Sequence, residues 1–324
     1  MGFNCFGIYH CDSTSCNRKE CNEAMSGAVL EKVSARAYFA AWALVRWLPE
    51  RLAYSLFYFG ARILGRKQPK SVRRLRSNLE RVAGNRTEAE MEALLLASLK
   101  SYMRYWCDTF RFPDWSKERI RSTVTVRNEH LLMDGIKAGT GVIVSLPHAG
   151  NWDHAGAYFC GKGVPLVTVA ERLKPEALFL KFLEYRQSIG MEVLPLDGRS
   201  LAILAQRLRS GALIALVADR DLSRSGITVD FFGAHARMPA GPALLAINTG
   251  APLITAFVSY TEAGIHIDFN PIAIPSTGSK DEKIAVMVQE CANNFAKGIS
   301  QAPQDWHMLQ RIWVDEDFME RKDA

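Results

Sequence analysis

Residues Val142 to Asp153 read VIVSLPHAGNWD, and this stretch decides the fold. Val142 to Leu146 is an apolar run of strand length, Gly150 permits a sharp turn, and Asn151 can cap a helix that starts at the next residue. A buried strand that turns into a helix is the unit of a layered α/β fold. Further short apolar runs follow at Val164 to Ala170, Glu192 to Leu196, Ala212 to Ala218, Pro252 to Tyr260 and Ile265 to Phe269, with helical stretches between them. The chain after Val124 is therefore predicted to be α/β, a central mixed sheet flanked by helices.

In open α/β sheets ligands sit beyond the carboxyl ends of the strands, so the residues that follow each run carry the functional reading. They are polar: His148 and Asp153 after the first run, Glu171 and Arg172 after the second, Asp197 near the third, and Asp219, Arg220 and Asp221 after the fourth. On one continuous helix His148 and Asp153 would stand about 140° apart and could not pair. With His148 at the strand end and Asp153 in the first helical turn, the carboxylate is expected to reach back to the imidazole. That gives a base with an orienting carboxylate, and Asp219 is a second candidate for the same role. Such a base can deprotonate a hydroxyl while main-chain amides steady an oxyanion formed on a thioester carbonyl, with no enzyme nucleophile. Arg172, Lys174, Arg186, Arg220, Arg224 and Arg237 are cations suited to phosphate groups. A lone histidine in a surface turn and solvated arginines are the plain alternatives.

Ahead of the core, Val29 to about Leu64 reads as helices broken near Pro49, with Tyr38, Trp42, Trp47, Tyr54 and Tyr58 interleaved. Two readings stand: an interfacial helix pair in a lipid headgroup layer, or an arm packed on the core. A further helix is predicted over Thr87 to Trp106. The aromatics Tyr102, Tyr105, Trp106, Phe110 and Phe112 that crowd its end read as core or as a wall for an acyl chain.

The 324 residues are 48% hydrophobic and 23% charged, which allows a substantial core and little disorder. The formal charge of +6 is unevenly placed. Arg62, Arg66, Lys67, Lys70, Arg73, Arg74, Arg76 and Arg81 cluster against Glu80 alone, so this segment seeks an anionic surface, lipid or nucleic acid. The uncharged runs near the start fall far short of the roughly 20 apolar residues of a membrane span. Residues 1 to 25 are polar and carry Cys5, Cys11, Cys16 and Cys21 without paired zinc-ligand spacing, so they read as a disordered extension without a metal site. No secretory signal is readable in them. The division expected is residues 1–25 as that extension, 26–120 as a helical, membrane-associating arm with a basic segment, and 121–324 as the core.

At these residues the sequence resembles the lipid A late-acyltransferase superfamily, and within it the phosphatidylinositol mannoside acyltransferases of actinobacteria. The shared segments are LPHAGNWD from Leu146, VAERLKPE from Val169, EVLPL from Glu192, ADRDLSRSG from Ala218, VDFFG from Val229, RMPAGPA from Arg237 and DWHMLQ from Asp305. The resemblance runs from about Ser34 to Val314. It implies a peripheral enzyme on the cytoplasmic side of the cell membrane, an acyl-CoA co-substrate with no further cofactor, a palmitoyl chain, and a mannose hydroxyl of phosphatidylinositol mannoside as acceptor. It implies His148 as base with Asp153, and Glu171 and Arg186 as polar groups lining the site. Asp219 stands where the family is expected to carry glutamate, as partner to the histidine.

The competing readings are a lipid A-type lauroyl or myristoyl acyltransferase and a non-catalytic protein that grips anionic lipid or nucleic acid. No nucleic-acid motif is present, and the absence of a G-x-S-x-G turn argues against a serine hydrolase.

Overall fold

The computed structural model describes residues 42–170, 176–221, 223 and 225–314. The Cys-rich start, Tyr38, Glu171, Arg172, Lys174 and Arg224 lie outside them.

Helix α1 (Glu50–Lys67) follows Pro49 and α2 (Lys70–Val82) follows Pro69. Proline presets the backbone for a helix start and has no N–H to leave unpaired there. Helix α3 (Glu88–Arg111) begins at Thr87, whose side chain accepts from the Glu90 amide while Glu90 returns the bond, a reciprocal cap. The predicted start is met, and the helix runs one turn further than predicted because Phe110 stays inside the aromatic cluster. A short α4 (Lys117–Ser122) leads into the core.

The core alternates β1 (Val124–Arg127), α5 (His130–Lys137), β2 (Val142–Leu146), α6 (Trp152–Gly161), β3 (Leu166–Ala170), α7 (Glu176–Ser188), β4 (Met191–Pro195), α8 (Ser200–Arg209) and β5 (Leu213–Val217). A separate hairpin, β6 (Ile227–Phe231) and β7 (Ala234–Met238), is followed by α9 (Gly241–Thr249), β8 (Leu253–Tyr260), β9 (Ile265–Ile272) and α10 (Lys280–Gln301). Seven strands form one sheet in the order β1-β9-β8-β2-β5-β3-β4, parallel throughout except for the β8–β9 pair.

Strand side chains alternate between two apolar layers. Ile143, Val167, Ile214 and Leu253 pack with α8, α9 and α10, while Val142, Val144, Leu166 and Leu213 pack under α5 and α6. A sheet covered on both faces explains why its strands read as unbroken apolar runs. The N-terminal arm lies against the core: Leu75, Leu79, Leu95 and Leu99 share the first layer with Met308, Ile312 and Trp313.

Three strands were not legible. β1 is only four residues long. The β6–β7 turn consists of Phe232 and Gly233, both at positive φ (51° and 72°). Phenylalanine in place of the usual Asn or Asp before Gly conceals the two-residue turn. No described helix is long and apolar enough to cross a membrane.

Candidate active site

Register places the first two groups. β2 and β5 pair in parallel with Leu146 beside Val217, so the chains leave the sheet together and His148 emerges next to Asp219. The imidazole Nδ1 lies 2.6 Å from Asp219 Oδ1, and the His148 amide donates to Oδ2 at 3.0 Å. Trp306 Nε1 donates to the same oxygen, also at 3.0 Å. Asp219 is fully buried. Burial alone would raise its pKa, but the charge and hydrogen bond of His148, the Trp306 indole and the His148 amide together hold it below the ordinary carboxylate range. A carboxylate that stays ionised keeps the proton on Nδ1 and leaves Nε2 as the basic nitrogen. The His148 side chain is 37% exposed. Aspartate suffices where the longer glutamate was expected, because the backbone amide of His148 already sits against the carboxylate.

The chain end closes over this pair. Ala149 and Trp306 form an antiparallel bridge, the His307 amide donates to the His148 carbonyl at 2.7 Å, and the Gly150 amide donates to the Asp305 carbonyl at 2.9 Å. Gly150 has φ +58°, and a Cβ there would stand 2.5 Å from the Val258 carbonyl oxygen. Only glycine makes this turn so close to β8. Asn151 then caps α6, its side chain accepting from the His154 amide at 2.9 Å.

Asp153 does not reach back to His148. It lies buried in the first turn of α6, where its carboxylate accepts from Arg186 Nε at 2.9 Å and from the Tyr105 hydroxyl at 3.1 Å. The nitrogen expected to face it is already held by Asp219. Arg186 is correspondingly not an open phosphate cation, since its guanidinium points inward and is matched to Asp153. Arg237, on β7, donates to the Ser223 carbonyl at 3.2 Å and ties down the loop after Asp219. Arg220 is half-buried directly beside Asp219 in sequence.

Asp153 and Arg186 also mark one wall of an apolar slot between α6 and the sheet. Val144, Leu146, Leu213, Val217 and Phe269 line it from the strands, and Trp152, Gly156 and Phe159 line it from the helix. Trp152 links the slot to His148: its indole stands edge-on to the imidazole ring, with centroids 5.8 Å apart.

The sequence profile of the bacterial lipid A biosynthesis acyltransferases matches residues 22–315. The chain belongs to this acyltransferase family. A relative named phosphatidylinositol mannoside acyltransferase in Mycolicibacterium smegmatis is 42% identical over 287 residues, covering 87% of this chain and 92% of the relative. A protein of the same name in Mycobacterium tuberculosis is 40% identical over 283 residues, covering 86% and 88%.

In this member of the lipid A acyltransferase family three further residues meet beside the His148 turn. Ser101 donates to Asp305 Oδ1 at 2.7 Å and therefore accepts from His307 Nε2 at 2.9 Å. His307 Nδ1 is left a buried acceptor with no partner among the described residues. Burial, with the nearby charge of His148, pushes the His307 pKa down to about 3, so the ring is neutral. Reading strand ends could not find Asp305, Trp306 or His307, because no apolar run precedes them. Their signal was the DWHMLQ segment, which carried the resemblance without a position in the fold.

Proposed function

We propose that the protein transfers a fatty acyl chain from acyl-CoA to a mannose hydroxyl of phosphatidylinositol mannoside at a membrane surface, with His148 as general base. The observation that carries this reading is the His148–Asp219 pair: a buried carboxylate holds Nδ1 of a partly exposed imidazole and leaves Nε2 as its basic nitrogen, near an apolar slot. In the reaction, Nε2 takes the hydroxyl proton as the sugar oxygen attacks the thioester carbonyl. The oxyanion of the tetrahedral intermediate is met by unpaired amides and the positive end of the dipole at the start of α6. Collapse breaks the carbon–sulfur bond, and the imidazolium returns its proton to the departing CoA sulfur. No covalent enzyme intermediate is required.

The slot is apolar on both sides: β4, β3, β5, β2, β8 and β9 contribute residues to one wall and α6 to the other, a lining suited to a hydrocarbon chain. The palmitoyl length is taken from the resemblance to the mannolipid acyltransferases. The acceptor follows the names of the relatives, which favour a mannolipid over lipid A.

Membrane contact is supported by α1. Leu52, Leu56, Phe59 and Ile63 recur at helical spacing and are exposed beside Arg51, Arg62 and Arg66, and Leu44 and Trp47, just ahead of Pro49, are exposed as well. This stripe differs from the aromatic one expected. Trp42 is buried, donating to the Phe110 carbonyl, and Tyr54 turns inward to Asp108, whereas Trp47, 83% exposed, faces out together with Phe59. An apolar face with basic flanks fits an anionic bilayer on the cytoplasmic side.

Radiolabelled palmitoyl-CoA incubated with mono- or dimannosylated phosphatidylinositol, beside a lipid A precursor, tests the reading. Label is expected in the mannolipid and not with His148→Ala. Transfer to the lipid A precursor alone overturns the acceptor, and full activity of His148→Ala overturns the mechanism.

A further inference from the structure

A second cavity, of about 400 Å³, opens between α1, the second half of α3, α4 and the β8–β9 turn, apart from the apolar slot. Its wall is polar and aromatic, the opposite of the slot: Tyr54, Tyr58, Trp115 and Tyr260 alternate with arginines and carboxylates. Most of its charges are already matched. Arg119 is paired with Glu50, and Arg104 lies over the Tyr260 ring at 4.1 Å and donates to the Thr261 carbonyl at 2.8 Å. Asp108, at the floor, accepts from Tyr54, from Tyr260 at 3.2 Å and from Asn151 at 3.2 Å.

What remains uncommitted is specific. Arg51 and Glu262 line the cavity, and among the described residues neither has an ion-pair or hydrogen-bond partner for its side chain. One guanidinium, one carboxylate and tyrosine rings suit a phosphate attached to a hydroxyl-bearing ring. The cation takes the phosphate, while the carboxylate and tyrosines take ring hydroxyls and faces. Position adds a second constraint. Arg51 precedes Leu52, the first residue of the exposed apolar stripe on α1, so the cation stands where that stripe meets the cavity. A lipid presents its phosphate at that level, with the polar ring beyond it and the acyl chains behind.

We infer that this cavity is a headgroup site for a phosphoinositol lipid. The phosphopolyol class comes from the cavity itself, whereas the choice of inositol rests on the acceptor reading above. Asn151 links the cavity to the catalytic turn, since one side chain both caps the helix after His148 and donates to Asp108.

Calorimetry with the water-soluble headgroup glycerophosphoinositol tests this on full-length protein and on His148→Ala, which separates binding from turnover. Both proteins are expected to bind it equally, with affinity falling at least tenfold in Arg51→Gln and in Tyr58→Ala of unchanged melting temperature. Equal binding of glycerophosphoglycerol, or binding indifferent to both substitutions, overturns the site. Two arms identify the source. If the headgroup is part of the acceptor, Arg51→Gln raises the acceptor KM and leaves kcat in place. If it belongs to a separate anchoring lipid, acceptor KM is unchanged and binding to phosphatidylinositol vesicles falls.

Discussion

Asp153 and Arg186 form an ion pair, Oδ1 to Nε at 2.9 Å, with the carboxylate buried and the guanidinium largely so, at the wall of the apolar slot rather than beside His148. Desolvation works against the Arg186 charge, and Asp153 more than offsets it, so the guanidinium stays protonated. Asp153→Asn leaves that cation without a counter-charge and is expected to cost about 3–5 kcal/mol of folding stability. Urea denaturation measures it, and Asp153→Asn combined with Arg186→Met should recover part of the loss.

Asp219→Asn removes the acceptor that fixes Nδ1. Transfer should fall by roughly 10²- to 10⁴-fold in kcat, the range associated with general-base catalysis, with acceptor KM little changed. The pair also has a pH signature. The Asp219 pKa in the folded protein lies below its unfolded value of about 3.9, so its contribution to stability is complete above that value and is lost as pH falls through the folded pKa. Wild type and Asp219→Asn should therefore differ in stability at neutral pH and converge only in acid.

Two buried histidines set a different acid limit. Burial pushes His154 down to about 4 and His307 down to about 3. Both are neutral when folded and gain a proton more readily when unfolded, with an unfolded pKa near 6.5. Their stabilising effect is present above that value and declines as pH drops below it, by about 2 kcal/mol each at pH 5. Thermal melts between pH 7 and pH 5 should show the slope, and His154→Gln should reduce it by about half.

Gly156 keeps the slot open on the helix side. A Cβ there would lie 2.2 Å from Met191 Cε and 3.4 Å from Leu166 Cδ1. Gly156→Ala is expected to lower the rate with palmitoyl-CoA more than with octanoyl-CoA, and Met191→Ala in the same chain should restore the longer donor. A uniform loss across donors would remove the slot from chain recognition.

The α1 stripe is open to a direct check. Leu56→Asp with Phe59→Asp should abolish co-sedimentation with anionic vesicles while leaving the melting temperature in place, because both side chains are exposed. Raising salt should weaken binding of the unaltered protein, through its arginine flank.

Much of the architecture was legible because the sheet is covered on both sides, so β2, β5 and β8 had to be continuous apolar runs. The strand-end rule then led to His148 and Asp219, whose neighbourhood is a matter of parallel register. Asp153 misled for a physical reason. Proximity in sequence suggested a pair with His148, but α6 carries its first turn away from the imidazole and toward α7, where Arg186 meets it. Trp42 and Tyr54 misled similarly, since an aromatic pattern does not say which rings turn inward. The residues from Asp305 to His307 were silent because their position depends on contacts across half the chain.

That return of the chain end has a consequence in time. A polypeptide emerging from the ribosome presents His148 and Asp219 long before Trp306, so the nascent protein holds a histidine and a carboxylate with no indole to roof them. Domains fold as units when their last necessary segment appears. The His148–Asp219 pair is thus complete only once the segment from Asp305 to His307 has been made, and chains cut short before Trp306 are expected to lack activity.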